Sequence, residues 1–116
     1  MRKNPIAQIT LLLAGIAIFA GTVLAGTQDF DLVNRTGKVI NNVYVSKVTT
    51  SDWEEDVLGQ DTLANGSKVH ITFNAGDDEC YWDVRAVDTT GGTYTFYKQN
   101  LCTLSEIVVT ARDKDR

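Results

Sequence analysis

Hydrophobic and polar residues alternate in short runs along most of this chain, with a period of two, which is the signature of strands that bury one face. Phe30 and Leu32 are interleaved with Asp29 and Asp31, the run continues into Val33, and it stops at Asn34-Arg35-Thr36-Gly37, which reads as a strand and then a turn. The β-branched stretch from Val39 to Val48 sets Val43 and Val45 on one face and Asn42 and Tyr44 on the other. Ile40 is out of phase with it across Asn41-Asn42, which predicts a bulge. After a turn at Asn65-Gly66, Val69, Ile71 and Phe73 alternate with Lys68, His70 and Thr72. A hairpin follows, with Trp82, Val84 and Ala86 on one face of its first strand, Thr89-Thr90-Gly91-Gly92 as its turn and Thr93 to Lys98 as its return. Ile107 to Thr110 supplies a last strand. The period breaks only from Thr49 to Gly59, where Ser51 or Asp52 is placed to cap a single helical turn that carries Trp53, Val57 and Leu58. The expected fold is therefore all-β: a small antiparallel β-sandwich, or partly open barrel, of about six strands, with one short helical turn inside residues 49–59.

The N-terminal segment has a different pattern. Arg2 and Lys3 precede an apolar run from Ile9 to Phe19 and a small-residue end at Val23-Leu24-Ala25, the three-part form of a secretory signal peptide over residues 1–25. The alternative is an uncut membrane anchor, for which the apolar core is short. The domain then occupies residues 26–111, followed by a charged tail at 112–116 that is expected to fray. No cysteine stands at the cleavage site to take a lipid, so no stable membrane insertion is expected after cleavage. The expected location is the periplasm or the extracellular space, and the residues leave that choice and the oligomeric state open.

Without residues 1–25 the chain keeps 9 of its 11 basic residues and all 15 acids, a net charge of 9 − 15 = −6. That balance argues against nucleic acid and anionic membrane surfaces, which need a basic surface to displace counterions, and leaves a cationic protein open as a partner. Cys80 and Cys102 are the whole thiol content. An even count in a small exported domain reads as a disulfide. Hairpin pairing in which facing residue numbers sum to about 181 sets Cys80 opposite Leu101 and Cys102. Closing that loop stabilises by about 3 kcal/mol in the chain-entropy view.

Candidate chemistry is sparse. His70 is the single histidine, on an outward strand position with no nucleophile evident beside it, so it reads as a solvent-facing residue; no catalytic residue is assigned. The acids at Asp52, Glu54, Glu55, Asp56 and Asp61, and again at Asp77, Asp78 and Glu79, lack the ligand spacing of a helix-loop-helix calcium site and read first as a solvated rim, with calcium binding as the alternative. No cofactor motif is present. Trp53 among acids has the look of an anchor for a cationic partner, with Asp52, Glu54, Glu55 and Asp56 around it; its other reading is a loop aromatic folded onto the core beside Val57 and Leu58. Asn34-Arg35-Thr36 and Asn65-Gly66-Ser67 are sequons, relevant only in a eukaryotic secretory pathway.

In order along the chain, Asn34-Arg35-Thr36-Gly37, Val43-Tyr44-Val45-Ser46, Trp53 with Asp56-Val57-Leu58, Cys80 with Trp82-Asp83, and Asn100-Leu101-Cys102 form a pattern over most of the mature part. It resembles that of small exported bacterial β-domain proteins of uncharacterised function, built on N-x-T-G, V-Y-V-S, W-x-x-D-x-L, C-x-x-D and N-L-C. The resemblance implies an exported bacterial β domain and brings no activity with it. Glu54 stands where some of those proteins have glycine, which implies a different loop conformation. The function expected from all this is a non-enzymatic binding module of the cell envelope or extracellular space. Its alternatives are an inhibitor or sequestering partner of a cationic secreted protein and a calcium-binding structural domain.

Overall fold

A computed structural model describes residues 28–74 and 77–116. The expected signal peptide lies outside the described residues. Six strands form two three-stranded sheets, as the period-two pattern predicts: β1 (Phe30–Arg35), β2 (Ile40–Lys47), β3 (Lys68–Ile71), β4 (Tyr81–Asp88), β5 (Thr93–Asn100) and β6 (Glu106–Thr110). One sheet has the order β3-β1-β6 and the other β2-β4-β5. The first contributes Phe30, Leu32, Ile71, Ile107 and Val109 to the core, and the second contributes Val43, Val45, Trp82, Val84, Ala86 and Tyr94. Val57, Leu58 and Leu63, from the long connection between β2 and β3, close one side. A small domain recruits apolar loop residues in this way because its strands alone bury too little area.

The architecture departs from the sequence expectation in three places. The β1–β6 ladder is parallel, with Leu32 opposite Ile107 and Val33 opposite Val108, one parallel pairing within the expected antiparallel sandwich. The other ladders are antiparallel. Strands far apart in sequence have no hairpin to fix their direction, and here residues 101–105 carry the chain across so that β6 starts alongside the start of β1, with Asp31 N–H donating to Ser105 O at 3.0 Å. No helix forms within residues 49–59; the segment runs back along β2 and ends in tight turns (Gly59 N–H to Asp56 O, Asp61 N–H to Leu58 O). The helical turn that does occur, of 3₁₀ type, is Ala111–Asp113. The tail expected to fray is tied to β5: Asp115 N–H donates to Thr93 O at 2.7 Å, and its carboxylate accepts from the hydroxyls of Thr93 and Thr95. Short polar side chains on the edge strand meet a carboxylate there, a pairing that hydropathy does not register.

The β4–β5 hairpin is pinned at both ends. At the turn, Asp88 is 1% exposed and accepts from Thr90 N–H (2.8 Å), Thr90 Oγ1–H (2.6 Å), Gly92 N–H (3.0 Å) and the buried Tyr94 hydroxyl (2.7 Å). Burial pushes the Asp88 carboxyl up, but the donors from Thr90, Tyr94 and Gly92 outweigh it and hold the group well below the usual carboxylate range. Tyr94 is pushed up to about 12 by burial and by the hydrogen bond and charge of Asp88. Gly92 is required by close approach, since a Cβ there would stand 2.8 Å from Asp88 Oδ2 and from Lys114 Cε. At the open end, the Cys80–Cys102 disulfide closes the strands as expected.

A second buried polar centre explains Asn34-Arg35-Thr36-Gly37. The Asn34 amide, fully buried, donates to Lys38 O (2.7 Å) and Leu63 O (2.9 Å) and accepts from Thr36 N–H (3.0 Å) and its hydroxyl (2.7 Å). Each buried polar atom thus has a partner, as an interior of low polarity demands.

Candidate functional site

The outer face of β2-β4-β5 carries the polar and aromatic positions that alternate with the core: Asn42, Tyr44 and Ser46 from β2, Asp83 and Arg85 from β4, Thr95 and Tyr97 from β5. Two features shape it. The first is a bulge in β5. Val84 pairs with Phe96 but Trp82 with Gln99, so Tyr97 and Lys98 together oppose Asp83. Lys98 takes the left-handed φ of 53°, and its N–H donates to Asp83 Oδ1 at 2.9 Å. A bulge of this kind re-aims side chains, and here it leaves Tyr97 62% exposed beside a carboxylate held in place.

The second feature is the segment 49–59, which acts as a further edge beside β2. Tyr44 and Asp56 form an isolated bridge, and Val57 N–H donates to Val43 O at 2.8 Å. The Asp56 carboxylate accepts from Val43 N–H (2.8 Å), Leu58 N–H (3.0 Å) and the Asn42 side-chain amide (2.9 Å), and Ser46 Oγ accepts from Glu54 N–H at 2.8 Å. With its two ends fastened, the segment lays Trp53 across the sheet. Its ring centroid is 6.5 Å from that of Tyr44, and the Arg85 guanidinium lies over it at 4.9 Å. Trp53 is therefore a half-buried lid on the outer face, packed neither into the core beside Val57 and Leu58 nor free at a loop tip.

Between the Trp53 segment and the β5 bulge lies a cavity of about 210 Å³, lined by Ser46, Ser51, Asp52, Trp53, Asp83 and Tyr97 among others. Of the residues singled out from sequence, Trp53 and Asp52 line it. Asp56 has its oxygens committed to the backbone and to Asn42, while Glu54 and Glu55 are exposed and have no ion-pair partner among the described residues. Sequence reasoning did not assign Ser46, Asp83 or Tyr97 to a site. Their shared face was legible from the alternation, but the bulge that brings Tyr97 and Asp83 together has no sequence signal, because the strained residue is Lys98 and not glycine.

The electrostatics of this face are uneven. Arg85 donates from Nε to Thr95 Oγ1 at 2.9 Å; burial pushes the Asp115 carboxyl up, but the hydrogen bonds from Thr95 and Thr93 and the Arg85 charge together hold it below its ordinary value. Neither Asp52 nor Asp83 has an ion-pair partner among the described residues.

His70 belongs to the other sheet. Its Nδ1 lies 2.7 Å from Asp31 Oδ1 and its Nε2 lies 4.0 Å from Asp29 Oδ2, while Lys68 reaches the second Asp31 oxygen at 3.6 Å. Burial raises the Asp29 carboxyl above its ordinary value, against the opposing effects of the Phe73 N–H and His70. The ring thus sits in a small cross-strand charge cluster and does not line the cavity described above. Among the described residues, no three His, Cys, Asp or Glu side chains converge as a metal site would require, and no helix is long and apolar enough to cross a membrane.

No family model matches the chain, and no curated protein matches it either. One solved structure is similar, a protein from Eubacterium rectale determined by NMR. The two chains are 17% identical with a TM-score of 0.53, over 79% of this chain and 84% of the other. At that identity the likeness concerns the fold alone.

Proposed function

We propose that this chain is an exported, non-enzymatic recognition module that binds a cationic protein of the envelope or extracellular space through the Trp53 face of β2-β4-β5. The observation that carries the reading is the cavity in which a fastened Trp53, an exposed Tyr97 and the unpaired carboxylates of Asp52 and Asp83 meet. Aromatic surface supplies contact area at low entropic cost, and unpaired acids steer a basic partner and select it over acidic ones. Glu54 and Glu55 on the outer side of the same segment extend the negative field. The disulfide fits an oxidising compartment and so supports export. The non-enzymatic reading is supported by His70, which is engaged by Asp31 and Asp29 on the opposite sheet, apart from this cavity. Inhibition or sequestration of a cationic secreted protein is the concrete form such binding takes.

The test is affinity capture from the source organism's envelope and culture fluid by the wild-type protein and by a Trp53→Ala, Glu54→Lys, Glu55→Lys variant. A basic protein retained by the first and lost by the second, with an association rate that falls as salt is added, is the expected result. Equal capture by both variants removes this face from the interaction.

A further inference from the structure

Building on that reading, we infer that the cavity is a socket for one primary ammonium group, the side chain of a lysine on the partner, in preference to an arginine. Three observations point to the ligand. The first is the cavity itself, whose volume of about 210 Å³ suits one long side chain.

The second is the chemistry of its oxygens. Asp83 Oδ1 accepts the Lys98 N–H, which leaves Oδ2 as its uncommitted oxygen; Asp52 adds an exposed carboxylate to the lining, and Ser46 and Ser51 add single hydroxyls. Ser46 Oγ already accepts one N–H from Glu54 and keeps a further lone pair. An ammonium has three rotatable donors and suits a set of single oxygens spread around it. A guanidinium is a rigid planar fork that is best matched by both oxygens of one free carboxylate, which the half-buried Asp83, with Oδ1 committed to Lys98, does not offer.

The third is the occupancy of Trp53. The Arg85 guanidinium already lies over the indole at 4.9 Å, so one face of the ring is taken by a planar cation belonging to the protein itself. The acids that line the cavity, Asp52 and Asp83, have no ion-pair partner among the described residues. The carboxylate of Asp83 is set in place before any partner arrives, because the bulge that carries Lys98 at a φ of 53° grips it. The cost of ordering is then met in folding, and the socket is preorganised.

The inference is tested with Nα-acetyl-lysine methylamide, its arginine counterpart and the Nε-acetylated lysine compound, titrated into the purified protein while the Trp53 indole N–H and the Tyr97 ring signals are followed by NMR. The lysine compound is expected to shift both signals saturably, with a Kd on the order of millimolar for one side chain. The arginine compound is expected to bind several-fold more weakly and the acetylated one not at all. Asp83→Asn keeps an oxygen to accept the Lys98 N–H and removes only the charge; it is expected to weaken the lysine compound about tenfold while the rest of the spectrum is unchanged. Binding of arginine as tight as that of lysine overturns the ammonium preference. Saturation by the acetylated compound, or wild-type affinity in Asp83→Asn, overturns the charged socket.

Failure of the socket is separable from failure of the binding-face reading. If capture of a basic protein is lost on reversing Glu54 and Glu55 but unaffected by Asp83→Asn, the face binds and the socket does not. If capture is indifferent to all three, the face itself is wrong.

Discussion

Asp88 and Asp83 stand on the same strand, β4, and meet opposite surroundings. Asp88 is fully enclosed and takes four hydrogen bonds, every one from its own hairpin. Asp83 is half-buried, takes one, and lines a cavity with two aromatic neighbours. The first carboxylate is exhausted by folding, while the second is positioned by folding and left with capacity. The difference shows how to separate scaffold from site in a small β domain rich in acids. What matters is how many of a group's acceptor positions the fold has already used, and neither charge nor position along the chain reports that.

Four measurements would break or sharpen this contrast. The largest effect is expected from Asp88→Ala, which leaves the Tyr94 hydroxyl and the Thr90 and Gly92 N–H groups without their acceptor; denaturant unfolding should show a loss of about 3–4 kcal/mol. A loss below about 1 kcal/mol would mean that water replaces the carboxylate and that Asp88 is less enclosed than its burial states. Replacing both Cys80 and Cys102 with serine releases the other end of the hairpin and is expected to cost about 3 kcal/mol, read as a melting temperature lower by about 10–20 °C in a domain of this size. The Asp83 cavity should loosen with it, since the bulge lies between the two pins.

The pH dependence comes next. Asp88 titrates lower in the folded protein than in the unfolded chain, so its stabilisation is complete above about pH 4 and is lost as the pH falls below that value. Tyr94 is raised to about 12, so its contribution is complete below about pH 10 and is lost as the pH climbs toward 12. Unfolding free energies from pH 2 to 12 should show both limbs, with the acid limb flattened in Asp88→Asn and the alkaline one in Tyr94→Phe. Smallest of all is the expected effect of Asp83→Asn, within about 0.5 kcal/mol of wild type in the same unfolding experiment. A stability loss comparable with that of Asp88→Ala would move Asp83 into the scaffold and remove the contrast.

Much of the scaffold was legible beforehand because it follows from period two. The strands, the bulge at Asn41, where the β2 register shifts between Ile40 and Asn42, and the Cys80–Cys102 pairing all come from alternation and turn residues. The hairpin arithmetic held as well: facing positions sum to 180 near the turn (Arg85 with Thr95) and to 181 beyond the β5 bulge (Tyr81 with Asn100). Less legible were features set by a single side chain reaching across sequence. Asp56 looked like one of several acids around Trp53, yet it fastens the segment to β2. Asp115 looked like part of a solvated tail and holds the edge of β5. Asn34, read as the start of a turn, lies within β1, and its buried amide holds the turn that follows. Local propensity sees the charge or the amide and not the donors that fold around it.

The parallel pairing of β1 with β6 sets the order of events in folding. The first strand of the domain lies between β3 and the last strand, so one side of its backbone has no partner until the final residues of the chain are free to arrive. Contacts of such long separation slow folding and couple it to completion of the whole chain. For a protein threaded through a membrane from its N-terminus, the sheet cannot close while residues 106–110 are still in transit. The emerging segment would stay unfolded until translocation ends, and the disulfide between residues 80 and 102 would also form late. In an exported chain this topology would keep the β3-β1-β6 sheet open until its last strand arrives.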